Sequence, residues 1–289
     1  MKTIWVTGSK GQLGTELSLK YKKLKECNFI FTDIDELDLT HKRAVESFFE
    51  TNIPDIVINC AAYVAVDKAE VEKDKAFKLN RDVPKLLAEN CEKFNSTLIH
   101  ISTDYVFDGE SCRPYNESDP TNPQSVYGQS KLEGEEFVLQ GEKNLIVRTS
   151  WLYSAHGNNF VKTMIRLGKE KKEIAVVFDQ VGTPTSAADF ANALLSIVDS
   201  ISSSGISKPG IYHFSNEGVC SWYDFAIEIM KLAGLSCKVK PITSDQYPAL
   251  AKRPAFSVFN KTKIKESFNI EIPYWNDSFE KVILSLNTK

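Results

Sequence analysis

Short apolar segments alternate with amphipathic segments through the first 150 residues of this 289-residue chain. The apolar runs are too short for typical helices and predict strands that are buried on both faces. They cover residues 3–7, 29–32, 56–60, 98–102 and 145–148. The clearest helical patterns between them cover residues 12–24, 42–51 and 84–94. This order predicts an α/β fold with a Rossmann-like, doubly wound parallel sheet and right-handed crossovers.

The alternation is looser beyond residue 150. Helical patterns cover residues 160–169, 187–200 and 221–232, a further strand covers 210–214, and 202–209 has the composition of a flexible surface loop. The remainder, which contains Pro241, Pro248, Pro254 and Pro273, is predicted to be irregular, with short elements. We predict one domain from residues 1–150 plus about 187–215, and a smaller C-terminal α/β domain from about 151–186 and 216–289.

The charge pattern argues against a nucleic-acid partner. The chain has 35 Lys and Arg against 38 Asp and Glu, a formal charge of -3, and no long run of one sign that could follow a phosphate backbone. Residues 1–8 read as a strand entering a turn rather than as a secretory signal, and no apolar run could cross a bilayer, so we expect a cytoplasmic protein without membrane association. The six cysteines show no CxxC pair or metal-ligand spacing, which predicts reduced thiols.

A glycine-rich turn follows the first predicted strand. Gly8, Gly11 and Gly14 precede a helix, and glycines there permit a tight turn and let backbone amides approach a pyrophosphate at the helix N-terminus. Asp33 lies nineteen residues after Gly14, at the end of the second strand, where a carboxylate binds an adenosine ribose. The pattern predicts a bound dinucleotide. Asp33 favours NAD over NADP, but Lys10 could offset it near a phosphate, so the choice between them stays open.

A tyrosine and a lysine form a second motif. On a helix, Tyr127 and Lys131 lie on one face within reach of a common ligand. A nearby cation lowers the pKa of a phenol from about 10 toward neutrality, so we expect Tyr127 to exchange a proton with substrate at cellular pH. The fourth strand ends in Ser102 and Thr103, at the edge where parallel sheets bind ligands. We predict that Thr103 holds a substrate carbonyl while Tyr127 protonates it.

Together these motifs resemble the extended short-chain dehydrogenase/reductase family, and the resemblance covers nearly the whole chain. Within that family the chain is most similar to reductases that act on dTDP-4-dehydro-L-rhamnose. The segments that carry this similarity are NCAAYVAVDKAE at 59–70, STDYVFDG at 102–109, YGQSKLEGE at 127–135, RTSWLY at 148–153 and DQVGTPT at 179–185. The resemblance implies reduction of the C4 ketone of this nucleotide sugar to give dTDP-L-rhamnose, with hydride from NADPH or NADH.

The motifs and the resemblance give a role to each matched position. The predicted catalytic residues are Thr103, Tyr127 and Lys131, and the resemblance implies that Lys131 also binds the nicotinamide ribose. The cofactor-binding residues are Gly8, Gly11, Gln12, Leu13, Gly14, Asp33, Asp38, Leu39, Ala61, Ala62, Tyr63, Tyr127 and Lys131. The substrate-binding residues are Thr103, Asp104, Tyr105, Tyr127, Trp151 and Arg253. Arg253 would neutralise the substrate diphosphate.

Two positions depart from the family pattern or leave it undecided. Val64 stands where family members often carry a hydroxyl residue next to the substrate. Some members dimerise through magnesium bound by acidic residues, and Glu16 falls where one such ligand would lie. A glutamate early in a helix is equally explained by the helix dipole. We therefore predict no metal site, and magnesium binding and a homodimer are left open.

Other enzymes with this fold differ after the fourth strand. Nucleotide-sugar dehydratases typically follow the threonine with aspartate and glutamate, whereas Asp104 is followed by Tyr105, which favours simple hydride delivery. A 4-epimerase more usually has small residues after the strand-end serine. Two alternatives stay open: a reductase of another nucleotide-linked 4-keto-6-deoxy sugar, and a non-catalytic NADP-binding regulatory subunit. The regulatory subunit of a eukaryotic methionine adenosyltransferase resembles the same reductases.

Overall fold

The computed structural model describes residues 1–287. The strands are β1 (Lys2–Thr7), β2 (Cys27–Thr32), β3 (Ile56–Asn59), β4 (Thr97–Thr103), β5 (Leu145–Thr149), β6 (Leu152–Tyr153), β7 (Glu173–Val177), β8 (Val181–Gly182), β9 (Thr185–Ser186), β10 (Gly210–His213), β11 (Cys220–Ser221) and β12 (Lys238–Ile242). The α-helices are α1 (Gln12–Lys20), α2 (Lys42–Asn52), α3 (Val66–Ala69), α4 (Lys73–Phe77), α5 (Val83–Lys93), α6 (Val126–Val138), α7 (Phe160–Glu170), α8 (Ala187–Ser204), α9 (Trp222–Leu232), α10 (Thr262–Phe268) and α11 (Trp275–Asn287). Short 3-10 helices cover Tyr21–Lys23, Asp104–Val106 and Ser244–Gln246, and a π-helical turn covers Lys78–Asp82.

Six parallel strands form the central sheet in the order β10-β5-β4-β3-β1-β2. From β1 the chain first moves outward to β2 and then returns to place β3 on the other side of β1. The strand order therefore reverses between β1 and β3, and such a reversal opens a crevice at the carboxyl ends of the strands. The predicted doubly wound parallel sheet is confirmed.

The strand register places polar residues along one edge of this sheet. Thr7 at the end of β1 pairs with Thr32 of β2 and with Asn59 of β3. Thr103 at the end of β4 pairs with Thr149 of β5. Parallel strands bring their carboxyl ends together, so the polar strand ends that the sequence contains form one continuous rim.

Apolar side chains cover both faces of the sheet because successive residues of a strand point to opposite faces. Ile4 packs on one face with Leu17 of α1 and Leu194 of α8. Trp5 packs on the other face with Phe49 of α2 and with α5. Full burial of a side chain of this size contributes about 1.5–3 kcal/mol, so the two faces hold the rim in a fixed geometry.

A second apolar cluster lies around the parallel pair β7 and β12. It contains Val161 of α7, Phe225 of α9 and Phe279 of α11. Helix α9 begins with a capping box in which Ser221 accepts from the Asp224 backbone and the Asp224 carboxylate accepts from the Ser221 backbone. The division of the chain at 1–150 plus 187–215 and at 151–186 plus 216–289 stays a prediction. Ile264 and Phe268 of α10 pack on the face of the sheet that carries Ile4, and not with this second cluster.

Three details of the predicted elements are wrong. Strand β2 is not buried on both faces, because it is an edge strand and most of its residues are partly exposed. The predicted loop at 202–209 begins only at Gly205, because α8 continues through Ser204 and ends at this glycine, which has a left-handed φ of 68°. The C-terminal stretch is not made of short elements alone, since α11 has 13 residues.

Within residues 1–287, none of the helices combines the length and apolar character that a membrane span requires.

Candidate active site

Two adjoining cavities form a groove along the polar rim of the sheet. Their volumes are about 590 and 600 Å³, and Gly8, Gly11, Cys60 and Ala62 line both. Predicted cofactor residues line the first cavity, namely Gly8, Gly11, Asp33, Asp38, Leu39, Ala61, Ala62 and Tyr63. Predicted cofactor, catalytic and substrate residues line the second, namely Gly8, Gly11, Gln12, Leu13, Gly14, Ala62, Thr103, Asp104, Tyr105, Tyr127, Lys131 and Trp151. The structure therefore brings all predicted site residues except Arg253 to one groove.

The glycine turn brings three backbone segments unusually close together. Gly8 has a left-handed φ of 63°, and a Cβ atom there would lie 2.7 Å from the amide nitrogen of Ala61. A Cβ atom at Gly14 would lie 2.3 Å from the carbonyl oxygen of Gly8. Only glycine allows this close approach, because backbone atoms occupy the positions that a Cβ atom would take. The turn leads into the start of α1, where backbone N–H groups and the helix dipole favour an anion. This cradle fits the pyrophosphate of a dinucleotide.

The acidic residues at the adenosine end of the groove have partners within the chain. The Asp33 carboxylate accepts from the backbone of Lys10 at 2.7 Å and from that of Ile34 at 2.8 Å. The Lys10 ammonium lies 2.8 Å from both Asp35 and Glu36, and these partners raise the pKa of Lys10. In this structure the Lys10 ammonium is paired with Asp35 and Glu36 rather than with Asp33, and the choice between NAD and NADP stays open.

Asn80 fixes the backbone of the cofactor segment that follows β3. Its Oδ1 accepts from the Tyr63 amide at 2.8 Å, and its Nδ2 donates to the Tyr63 carbonyl at 3.0 Å. The same Nδ2 lies 3.0 Å from Ser130 Oγ on α6. Asn80 thus joins the cofactor segment to the helix that carries Tyr127. Asn80 was not among the predicted site residues, because nothing in the spacing of positions 63, 80 and 130 indicates that they meet.

Helix α6 presents Tyr127 and Lys131 to the second cavity. The helix begins where the Ser125 hydroxyl accepts from the Gly128 amide at 3.1 Å. A Cβ atom at Gly128 would lie 2.2 Å from the Tyr105 carbonyl oxygen, so glycine allows the helix to touch the turn after β4. The predicted placement of both side chains on one face of a helix is confirmed.

The charge state of the tyrosine differs from the prediction. Burial raises the pKa of Tyr127 to about 12, and a hydrogen bond with Thr103 opposes this shift. Burial also lowers the pKa of Lys131 to about 8. Lys131 Nζ donates to the Ile101 carbonyl at 2.7 Å and lies 3.3 Å from Nε2 of His100. The expectation that Lys131 brings the phenol toward neutrality is wrong for this state, because burial dominates and the Lys131 amino group is directed at β4.

Asp104 is a buried carboxyl group at the end of β4. It accepts from the Thr103 hydroxyl at 2.9 Å and from the Ser257 hydroxyl at 2.5 Å. Burial raises the pKa of Asp104 to about 6. The ring of the next residue, Tyr105, packs roughly perpendicular to that of Tyr127, with 5.3 Å between ring centroids. Asp104 therefore connects the catalytic strand to the late segment that contains Ser257.

Trp151 forms the opposite wall of the second cavity. It stacks on Trp222 at 3.6 Å with an interplanar angle of 10°, and its backbone has a left-handed φ of 49°. Gly182 lies against the indole, where a Cβ atom would approach to 2.7 Å. Trp222 was not predicted, since the two tryptophans are far apart in the chain. The strained backbone and the stack hold an aromatic surface toward the groove.

Asn159, which contacts the predicted cofactor residue Gln12 behind the glycine turn, was not predicted. Gln12 Oε1 accepts from Asn159 Nδ2 at 2.9 Å and lies 3.4 Å from Ser154 Oγ. Asn159 also caps α7 by accepting from the Lys162 amide. Val64 lines the second cavity and is 68% exposed. Because it is a valine, the wall of the cavity has no hydroxyl group at this position.

Arg253 and Glu16 have partners outside the groove. Arg253 Nη2 donates to Asp67 Oδ2 at 2.7 Å, so its guanidinium is paired within the chain. Glu16 is buried, with Lys20 Nζ at 3.2 Å and His156 Nε2 at 3.7 Å. No group of three or more His, Cys, Asp and Glu side chains suited to a metal ion occurs within residues 1–287.

Comparison with known proteins decides the family. The family model described as the RmlD substrate binding domain matches residues 1–288. The chain is 41% identical over 289 residues to the dTDP-4-dehydrorhamnose reductase of Aggregatibacter actinomycetemcomitans, with 98% of each chain covered. The chain belongs to the dTDP-4-dehydrorhamnose reductase family.

Solved structures of this reductase family have the same fold over the whole chain. The crystal structure of a dTDP-4-dehydrorhamnose reductase from Clostridium acetobutylicum has a TM-score of 0.92 and 46% identity, with 99% of each chain covered. The reductase from Bacillus anthracis, solved in complex with NADP, has a TM-score of 0.93 and 38% identity and covers 99% of this chain and 100% of its own. The predicted membership of the reductase family is confirmed.

Proposed function

We propose that this chain reduces the C4 ketone of dTDP-4-dehydro-L-rhamnose to give dTDP-L-rhamnose, with NADPH or NADH as the cofactor. The observation that carries the proposal is the meeting of Thr103, Tyr127 and Lys131 on the wall of the second cavity, directly beside the glycine cradle. Relatives of known name support it, since the proteins from A. actinomycetemcomitans and C. acetobutylicum are dTDP-4-dehydrorhamnose reductases.

The first part of the groove would hold the cofactor. The bound nicotinamide supplies the hydride for the carbonyl carbon. We assign Gly11, Gln12 and Leu13 to the pyrophosphate, because they surround the cradle at the start of α1. We assign Asp33, Asp38 and Leu39 to the adenosine, and Ala61, Ala62 and Tyr63 to the middle of the cofactor. The relative from B. anthracis binds NADP, whereas Asp33 favours NAD, so both cofactors belong in the assay.

The chain's own residues would supply the proton. Because burial holds the pKa of Tyr127 at about 12, its phenol is protonated at neutral pH and can donate to the oxygen of a carbonyl as that oxygen gains charge. Thr103 would hold the same oxygen, since its hydroxyl lies at the end of β4 beside Tyr127. The ammonium form of Lys131 would stabilise the phenolate that remains and would bind the nicotinamide ribose.

The second part of the groove would hold the sugar. Asp104, Tyr105 and Trp151 line it and offer a carboxyl group, a phenol and an aromatic surface. Arg253 would meet the diphosphate only after its guanidinium leaves Asp67, with which it is now paired. We assign residues 1–150 with about 187–215 to cofactor binding, and about 151–186 with 216–289 to substrate binding.

The deciding experiment follows the absorbance of the reduced nicotinamide with purified protein and dTDP-4-dehydrorhamnose that upstream enzymes generate in the cuvette. We expect a protein-dependent fall, and its rate with NADPH and with NADH ranks the two cofactors. The matched control is dTDP-glucose, which carries the same nucleotide but no ketone, and should give no fall.

Two outcomes would contradict the proposal in different ways. A fall only with another nucleotide-linked 4-keto-6-deoxy sugar would identify a different substrate. Cofactor binding without consumption of any such sugar would favour the non-catalytic regulatory subunit.

A further inference from the structure

A buried chain of polar side chains runs from the glycine turn to the catalytic lysine. Thr7 Oγ1 donates to Asn59 Oδ1 at 2.7 Å, and Asn59 Nδ2 lies 3.1 Å from His100 Nδ1. His100 Nε2 lies 3.3 Å from Lys131 Nζ. Thr7, Asn59 and His100 are all 0% exposed. Bulk water therefore does not reach these three side chains, and their polar atoms must find hydrogen-bond partners within the protein.

The orientation of the Asn59 amide is set by the backbone. Its Oδ1 accepts from the Ala61 amide at 3.2 Å as well as from Thr7. A flipped amide would place its NH₂ group against the Ala61 N–H and leave two donors facing each other. The unflipped amide therefore presents its NH₂ group, a donor, to Nδ1 of His100.

This orientation decides where the proton of His100 lies. A neutral imidazole carries one N–H, and a nitrogen that accepts from Asn59 cannot carry it. Burial lowers the pKa of His100 far below its ordinary value, so the ring is neutral. The remaining nitrogen, Nε2, then carries the hydrogen and points it at Lys131 Nζ.

We propose that Asn59 fixes the Nε2–H tautomer of His100, and that His100 thereby acts as a positioning residue that favours the neutral amine of Lys131 over its ammonium form in the cofactor-free protein. A neutral amine accepts from the Nε2–H group with its lone pair and donates to the Ile101 carbonyl with one of its own hydrogens. An ammonium group has no lone pair and would face the Nε2–H group donor to donor. The proposal goes beyond the proposed function, although its consequence for turnover rests on that function.

The other ionisable groups around Lys131 do not compensate for this arrangement. Burial raises the pKa of the Cys60 thiol, which follows β3, to about 12, so the thiol is uncharged. Glu135, on the same helix, is bound by Arg148. Tyr127, also on that helix, keeps its phenol proton. The depressed pKa of Lys131, mainly due to burial, agrees with a neutral amine at mildly basic pH.

Nitrogen-15 NMR of the cofactor-free protein tests the tautomer without using any activity. The chain has four histidines, and the signals that disappear in His100→Phe identify His100. We expect a protonated Nε2 and an unprotonated Nδ1 in the wild type from pH 6 to 9. A protonated Nδ1 would overturn the proposal. The tautomer is measured on the wild type, and the variant is needed only to assign the His100 signals.

The titration of Lys131 tests the consequence. The ¹³Cε signal of Lys131, assigned with Lys131→Met, is followed against pH in the cofactor-free wild type and in His100→Phe. Phenylalanine keeps a planar ring but removes the opposing N–H group, so we expect the midpoint to rise by about one unit. If Nε2 instead accepted from an ammonium group, the midpoint would fall, and a fall or no change overturns the proposal. His213→Phe, a buried histidine that bonds to Tyr115, is the control and should leave the midpoint unchanged.

The pH profile of kcat/KM extends the same test to the reductase reaction. If the ammonium form of Lys131 supports proton donation, the basic limb of the profile should also move upward in His100→Phe. The two failures are distinguishable, because absence of turnover in the wild type contradicts the proposed function and leaves the NMR result intact.

Discussion

The guanidinium of Arg148 and the carboxylate of Glu135 form a buried ion pair, with Nη2 and Oε2 2.6 Å apart and the two side chains 2% and 1% exposed. A second contact joins Arg148 Nε to Oε1 at 2.9 Å. The pair links β5 of the sheet to α6, the helix that presents Tyr127 and Lys131. The position of the catalytic helix therefore depends on a charge pair that water cannot replace.

Glu135→Gln should lower the free energy of unfolding by about 3–5 kcal/mol, because it leaves a buried guanidinium without its counter-charge. Urea unfolding followed by circular dichroism measures this. The matched control is Glu170→Gln, which breaks the exposed pair with Arg166 and should cost no more than about 0.5 kcal/mol. Equal losses in the two variants would contradict the importance of the buried pair.

Tyr127→Phe should lower kcat by about 10²- to 10⁴-fold while the cofactor dissociation constant stays within about twofold, because only the proton donor is removed. Turnover is read from nicotinamide absorbance and binding from cofactor fluorescence. Tyr212→Phe is a suitable control, since Tyr212 is also buried and its hydroxyl donates to the Lys208 carbonyl away from the groove. Near-normal turnover of Tyr127→Phe would remove this residue from the mechanism.

Gly8→Ala should weaken cofactor binding by at least about tenfold, because the new methyl group meets the Ala61 backbone in the cradle. Gly205→Ala is the control that separates this crowding from backbone strain. Gly205 has a φ of 68°, similar to the 63° of Gly8, but its Cβ position has open space around it. We expect about 1–2 kcal/mol of lost stability in Gly205→Ala from strain alone, with unchanged cofactor affinity. Calorimetric titration with NADPH and NADH measures both variants, and equal affinities would contradict the assignment of the cradle.

The free energy of unfolding of the wild type should fall relative to that of Asp104→Asn as the pH rises from about 4 to about 7. Its pKa is raised by burial to about 6 in the folded protein, so between its ordinary pKa of 3.8 and pH 6 the folded state binds more protons than the unfolded state. Stability from this group is therefore present at low pH and lost as the pH rises through 6. Urea unfolding across this interval gives the difference.

Asp119→Asn is the control for that pH dependence. Arg113 lowers the pKa of Asp119, so its contribution is lost only as the pH falls below its ordinary pKa of 3.8. The stability difference for Asp119→Asn should accordingly stay flat from pH 4 to 7. A flat difference for Asp104→Asn as well would contradict a buried, weakly ionised carboxyl group.

The parts of the site that the sequence predicts are those with a local signal. The turn at Gly8 and the pair Tyr127 and Lys131 follow from spacing along one element, and both occupy the groove as expected. Trp222 and Asn80 act through partners brought close only by the tertiary fold, so no spacing rule reveals them.

The errors in charge have a related cause. The pKa of Tyr127 depends on how deeply the phenol is buried and on where the Lys131 amino group points, and neither is fixed by the spacing of the two residues. In the fold, the half-exposed β2 was mistaken for a core strand because an apolar run does not show whether its strand has one neighbour or two.

The packing of α8 and α10 on the sheet has a consequence for biosynthesis. Leu194 and Ile264 cover the same face of the sheet as Ile4, although they follow it by well over half the chain. A ribosome adds roughly 5–20 residues per second, so β1 leaves the exit tunnel many seconds before the helices that shield it. Until α8 and α10 have been made, the nascent chain carries an apolar sheet face that is only partly covered, by α1. Chaperone demand should therefore peak late in translation, and fragments that stop near residue 150 should aggregate.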